Sequence, residues 1–308
     1  MSGPGRVLVT GGAGFIGSHV VDAFLDAGHD VRVADDLSGG RRENVDPRAT
    51  FDVLDIRSAV ALSLLVREFE PAVVCHLAAQ ASVTVSVRDP TFDLNVNVQG
   101  TLNVLEAARS VGARVVFAST GGALYGENAP MPTREEFDPQ PLSPYGASKL
   151  AGEAYLGTWA RLYEMPNVIL RLGNVYGPRQ DAHGEAGVVA IFSKLLRSGE
   201  VPTVFGDGKQ TRDYIYVADV AQAFLAVSAT SEAGTYNVGT GSETDVLTLL
   251  EHLQVAAGTN LSPQFEPLRP GELTRSALDH SALSAAVSWS PATTVSTGLA
   301  ETYASYAT

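Results

Sequence analysis

Thr10-Gly11-Gly12-Ala13-Gly14-Phe15-Ile16-Gly17 is the stretch that decides the fold. It follows the apolar run Val7-Leu8-Val9, which reads as a short buried strand, and it opens the helical pattern Ile16, Val20, Val21, Phe24. In that context Gly11 makes a tight turn, Gly14 lets the backbone approach a pyrophosphate on the helix N-terminus, and Gly17 permits close helix packing. Phe15 and Ile16 begin the helix and belong to the same dinucleotide-binding turn. A second strand, Asp30-Val31-Arg32-Val33-Ala34, ends at Asp35, 18 positions past Gly17 and close to where a ribose-binding acid belongs. An acid there takes ribose hydroxyls and repels a 2′-phosphate, which favours NAD over NADP, and Asp36 adds to the repulsion. Arg41 and Arg42 point the other way, but arginines in a Gly-rich loop read as solvated charges.

Working outward, apolar runs recur at 51–54, 72–77, 115–118 and 168–172 with helical patterns between them. One such helix spans 97–110, with Val98, Leu102, Leu105 and Ala108 at helical spacing. Alternation of this kind predicts an α/β fold, a Rossmann-type doubly wound parallel sheet. After Gly173 it loosens and proline and glycine become denser. The boundaries expected are an NAD-binding domain over 1–173 with returning segments around 212–240, and a smaller C-terminal α/β substrate domain over 174–308. Residues 295–306 read as a terminal helix.

The chain has 308 residues, 45% of them hydrophobic, enough to bury a large core. Its formal net charge of -13 counts against a broad nucleic-acid or anionic-membrane surface, so the expected partners are small molecules. Cys75 is the single cysteine and lies in an apolar run, which makes it a buried strand residue. No signal peptide or bilayer-length apolar stretch stands out, so the expected location is cytoplasmic. The six histidines form no spaced ligand set, and no metal is expected. His76 ends an apolar strand and reads as hydrogen-bonded core.

Ligands of open α/β sheets bind at the C-terminal ends of the strands. Asp55 and Ile56 end the third strand, Ala78 and Ala79 the fourth, Ser119 and Thr120 the fifth. Asp55 suits the adenine edge, and the alanines let a dinucleotide lie against the backbone. Tyr145 and Lys149 lie four apart and so share a helix face. A lone tyrosine titrates near ~10, and using it as a base near neutral pH requires a shift of roughly three units, ~4 kcal/mol. A nearby fixed positive charge is one way to achieve that.

With these residues in place the chain resembles the extended short-chain dehydrogenase/reductase family over essentially its whole length. The matching segments include Asp55-Ile56-Arg57, His76-Leu77-Ala78-Ala79, Asn97-Val98-Gln99-Gly100-Thr101, Ser143-Pro144-Tyr145-Gly146-Ala147-Ser148-Lys149 and Arg212-Asp213-Tyr214-Ile215-Tyr216. Within the family, the segments Ser119 to Gly126 and His183 to Val188 look most like UDP-glucose 4-epimerases. The resemblance implies tightly bound NAD, contacts from Asn97 to the cofactor half, a UDP-sugar substrate and a homodimer built from helices around 97–110 and 143–163. It implies that Tyr145 takes the proton of the sugar 4-hydroxyl while hydride leaves C4, so that a transient 4-keto sugar is re-reduced on its other face. Lys149 would hold the nicotinamide ribose and depress the tyrosine pKa.

The same resemblance assigns Asn174, Arg212 and Arg269 to the UDP diphosphate, and Val188, Val204 and Phe205 to the uracil. It leaves Arg179 between the sugar and neighbouring carboxylates. Gly121 stands where most such epimerases carry a serine or threonine that bonds the sugar 4-oxygen. The hydroxyl must then come from Thr120, Ser119 or an ordered water, and Thr120 is the expectation because a missing side chain lets its neighbour lean in. Ser276 stands where a bulky side chain narrows the sugar pocket, which predicts activity on N-acetylated UDP-hexoses besides UDP-glucose and UDP-galactose. A UDP-glucuronate 4-epimerase is the alternative. A nucleotide-sugar 4,6-dehydratase is disfavoured, since Gly121-Gly122 replaces the acid pair that elimination needs.

Overall fold

A computed structural model of the chain describes residues 5–181, 187–231, 233–268 and 273–306. Seven strands form one parallel sheet: β1 (Arg6–Thr10), β2 (Asp30–Asp35), β3 (Thr50–Val53), β4 (Val73–His76), β5 (Arg114–Thr120), β6 (Val168–Leu172) and β7 (Gly234–Val238). Their order is β7-β6-β5-β4-β1-β2-β3. The winding direction reverses between β1 and β4, and a crevice opens there at the strand ends. β7 comes from the segment expected to return, and it pairs with β6 from Gly234↔Val168 to Val238↔Leu172.

Alternation along each strand feeds two cores. Val7 and Val9 join Val31, Val33, Phe24 and Phe224 on one face, under helices α1 (Phe15–Asp26) and α5 (Val217–Ser228). Leu8 points the other way, into Leu62, Leu105, Phe117 and Leu156 under α2 (Ala59–Phe69), α3 (Gly100–Ser110) and α4 (Pro144–Tyr163). Each such fully buried side chain contributes about 1.5–3 kcal/mol of transfer free energy. A third cluster, with Tyr176, Phe192, Val204, Leu249 and Leu299, binds helices Val188–Arg197, Val246–Ala257 and Val295–Ser305 to one another.

The helix expected over 97–110 begins differently. Asn95–Gln99 forms a wide π-helical turn before α3 proper starts at Gly100. Such turns are frequent at functional sites, and this one carries Asn97 inward, 2% exposed. Among the described residues no helix is long and apolar enough to cross a membrane.

Candidate active site

The Tyr145 helix is well specified locally. Ser143 caps it by accepting the Gly146 N–H at 3.2 Å, and Pro144 occupies the first turn, where its missing N–H costs nothing. Tyr145, Lys149 and Glu153 follow at four-residue spacing on the face turned to the sheet. Lys149 is 3% exposed, its Nζ donates to the Ala118 carbonyl at 2.9 Å, and it lies 4.7 Å from the Phe117 ring centroid. Glu153 accepts Arg171 Nε at 3.0 Å and Nη2 at 2.7 Å, and Arg171 Nη1 reaches the Tyr125 hydroxyl at 2.8 Å. This buried ion pair anchors α4 to β6.

Strand alternation separates the two candidate hydroxyls. Ser119 turns away from the crevice, is 4% exposed and donates to Glu153 Oε1 at 2.5 Å. Its hydroxyl proton is thus given to the carboxylate behind it. Thr120 is placed so that its hydroxyl lowers the Tyr145 phenol, and it accepts the Ala123 N–H at 3.2 Å. Leu278, rather than Thr120, fills the room that Gly121 leaves. A Cβ on Gly121 would stand 2.5 Å from Leu278 Cδ1.

Burial dominates the electrostatics of the pair. Burial pushes the Tyr145 phenol up to about 12, Asp93 pushes the same way, and the Thr120 hydroxyl opposes them. The Lys149 ammonium is directed to the Ala118 carbonyl and is itself pulled down to about 8 by burial. His76 is core, 1% exposed between Thr10 Oγ1 at 2.8 Å and Thr101 Oγ1 at 3.0 Å, and burial lowers it to about 3. Burial likewise raises the Cys75 thiol.

The crevice fits a dinucleotide. Gly11 has φ +72°, and a Cβ there would lie 2.5 Å from the Ala78 nitrogen, so the glycine turn and the β4 end form a cradle that a side chain would fill. Gly14 and Phe15 start α1, whose first turn presents main-chain N–H groups. Asp35 is 7% exposed, and its two oxygens accept the Ala13 N–H at 2.9 Å and the Leu37 N–H at 2.8 Å. Each oxygen keeps a lone pair for a ribose hydroxyl. Asp36 instead bonds Ser38 in its own turn, and Asp55 is paired with Arg57. Ile56 packs beneath Gly100 at 4% exposure, so only its main chain is offered to a ligand. Asn97 Oδ1 accepts the Gln80 N–H at 2.8 Å and fixes the loop after Ala79.

On the substrate side, Asn174 opens the strand Asn174–Tyr176, its Oδ1 3.2 Å from where a Gly122 Cβ would be. Arg212 lies in the strand Thr211–Arg212, and its Nη1 donates to the Thr211 carbonyl at 2.8 Å. Val188 begins the helix Val188–Arg197. In the strand Thr203–Phe205, alternation sends Val204 into the core at 1% exposure, so its side chain cannot meet a uracil, whereas Phe205 lies on the other face. Arg269 lies outside the described residues. Arg179 meets a neighbouring carboxylate: its Nη2 donates to Asp22 at 2.6 Å and ties the loop to α1. Ser276 is 6% exposed, two residues from Leu278.

Three carboxylates went unread in the sequence. Asp213, fully buried, accepts Thr240 Oγ1 at 2.6 Å and the main-chain N–H groups of Thr240, Gly241 and Leu278. Glu153 was visible as a charge one turn beyond Lys149 on the same face, and its partner Arg171 as the one charge in Val168-Ile169-Leu170-Arg171-Leu172. Asp93, 1% exposed, stands four residues before Asn97. Among the described residues no three His, Cys, Asp or Glu side chains cluster as a metal site.

Residues 7–239 match the NAD dependent epimerase/dehydratase family. A UDP-glucose 4-epimerase of Mycolicibacterium smegmatis is 46% identical over 303 residues, 96% of this chain and 97% of that protein. The crystal structure of a UDP-glucose 4-epimerase from Thermotoga maritima with UDP-glucose superposes with a TM-score of 0.96 at 42% identity, covering 98% of each chain. A UDP-N-acetylglucosamine 4-epimerase from Methanobrevibacter ruminantium, in complex with UDP-N-acetylmuramic acid, gives 0.94 at 34% identity and 99% coverage of both. With its parallel sheet, glycine cradle, half-buried tyrosine and buried lysine, the chain belongs to the NAD dependent epimerase/dehydratase family.

Proposed function

We propose that this protein is an NAD-dependent UDP-hexose 4-epimerase, acting on UDP-glucose and UDP-galactose and also on their N-acetylated forms. The observation that carries it is Tyr145 one helical turn from buried Lys149, whose ammonium is held by the Ala118 carbonyl at the end of the strand that carries Thr120, beside the glycine cradle. Bound NAD supplies the acceptor and later the donor of the C4 hydride. Gly11, Gly14, Phe15, Ile16 and Gly17 hold its pyrophosphate, Asp35 its ribose, and Ala78 and Ala79 leave room along the backbone. Thr120 orients the sugar 4-oxygen, and Tyr145 takes its proton and returns it once the keto sugar has turned over. The positive charge that lowers the phenol comes from the oxidised ring together with Lys149, since the protein's burial alone moves it upward. Asn174, Arg212 and Arg269 hold the diphosphate, with Val188 and Phe205 beside the base.

Residues 1–173 with the returning strand serve the cofactor, and 174–308 mainly the nucleotide sugar. A cytoplasmic homodimer fits the exposed apolar side chains on the outer surface, Tyr155, Leu162 and Tyr163 on α4 and Val87 and Leu94 beside it. The test is proton NMR of the purified protein, without added NAD, incubated with UDP-galactose, UDP-N-acetylgalactosamine or UDP-galacturonate. Gluco-configured anomeric signals are expected from the first two. Failure to convert any of them, even with NAD supplied, refutes the reading.

A further inference from the structure

Asp93 lies on the short helix Pro90–Leu94, packed against α4, and is 1% exposed. Its Oδ1 accepts Gln80 Nε2 at 2.8 Å and Asn97 Nδ2 at 3.1 Å. Asn97 Nδ2 is also 3.1 Å from Ser148 Oγ, and Ser148 donates to the Tyr145 carbonyl at 2.9 Å. A relay of hydrogen bonds thus runs from the carboxylate to the helix turn that carries both Tyr145 and Lys149. Both donors to Asp93 are neutral amides, so they do not balance its charge.

Lys149 is faced by Asp93 from that helix, by Glu153 and Tyr145 from its own, by the Ala118 carbonyl and Phe117 ring from β5, and by His76 from β4. Burial keeps His76 neutral. Glu153 is already matched by Arg171 at 2.7 Å. That leaves Asp93 as the carboxylate whose charge is directed at the lysine. We propose that Asp93 is the buried counter-charge of the Tyr145 and Lys149 pair, a positioning residue that keeps Lys149 an ammonium. The assignment rests on the part given to that pair above. Burial pulls Lys149 down to about 8, Asp93 opposes this, and the same charge raises Tyr145, so it moves both groups in one direction.

The chain has three lysines, Lys149, Lys194 and Lys209, so lysine labelled with ¹³C at Cε gives a spectrum simple enough to titrate in the whole holoenzyme. Asn can accept the same two hydrogen bonds without the charge. Asp93→Asn should lower the Lys149 midpoint by about one pH unit or more, whereas Asp93→Glu should leave it near the wild-type value. Both limbs of the pH profile of turnover should move down together in Asp93→Asn. A Lys149 midpoint unchanged in Asp93→Asn overturns the proposal, and Asp93→Ser reads the same way should the asparagine variant not fold. If the protein epimerises no UDP-sugar, the proposed function falls while the lysine titration still decides the part of Asp93.

Discussion

A serine at position 121 should be poorly tolerated unless Leu278 is shortened with it. A Cβ at Gly121 would lie 2.5 Å from Cδ1, 2.7 Å from Cδ2 and 3.2 Å from Cγ of Leu278. Carbon atoms attract best at about 3.5–4.0 Å, so the overlap approaches an ångström and the cost should be about 1–3 kcal/mol. Leu278 cannot easily retreat. It is 1% exposed, its N–H is held by Asp213 at 3.0 Å, and its flanks are stitched to Thr133 through Ala277 and Asp279 at 2.8 Å each. Leu278→Ala alone should cost about 2–5 kcal/mol by leaving a cavity. The two changes act on the same volume, so the double variant should be more stable than the sum predicts by about 1–2 kcal/mol. Urea unfolding of the wild type, both single variants and the double variant measures this, provided the slopes agree. Additivity within about 0.5 kcal/mol would refute the claim that Leu278 occupies the space of the missing side chain.

Thr120→Val should cut turnover by about 10- to 1000-fold, as expected for a lost transition-state hydrogen bond, and near-normal turnover would discard Thr120 as the orienting hydroxyl. Glu153→Ala leaves Arg171, whose side chain is 8% exposed, without its carboxylate and should cost about 3–5 kcal/mol in denaturant unfolding. A loss below about 1 kcal/mol would mean the pair is solvated. His76 has a folded value of about 3, below the ordinary 6.5. Between those values the unfolded chain binds a proton that the folded one excludes, so stability falls as pH drops, by about 1.4 kcal/mol per pH unit for this one group. His76→Gln should show an acid limb shallower by that slope, and parallel limbs would contradict a buried neutral imidazole.

Much of this architecture is legible because it depends on local pattern. Apolar runs separated by helical periodicity reveal the parallel strands, and Gly11 announces its turn because only glycine relaxes at φ +72° against Ala78. What the sequence hides is direction. Ser119 and Thr120 are adjacent hydroxyls of equal promise, yet strand alternation commits one to Glu153 and turns the other to Tyr145. Val204 and Ile56 occupy family positions, but a family position does not tell which face a side chain takes, and both enter the core. The filling of the space at Gly121 depends on Leu278, 157 positions away along the chain, and no periodicity connects the two.

The unread carboxylates share a physical logic. Asp213 stands behind Arg212 and fixes Leu278, Glu153 stands behind Ser119 and Arg171, and Asp93 stands behind Asn97 and Ser148. A buried charge is tolerated only where its hydrogen bonds are met in good geometry, so each of these groups penalises small displacements of the elements around it. Apolar packing alone penalises sliding less sharply, because neighbouring hydrophobic arrangements are close in energy. The tyrosine and lysine face of α4 must meet the β5 end to within a fraction of an ångström for proton transfer. Charges buried behind the site therefore do there what a larger hydrophobic core could not, and position Tyr145, Lys149 and Thr120 at some cost in stability.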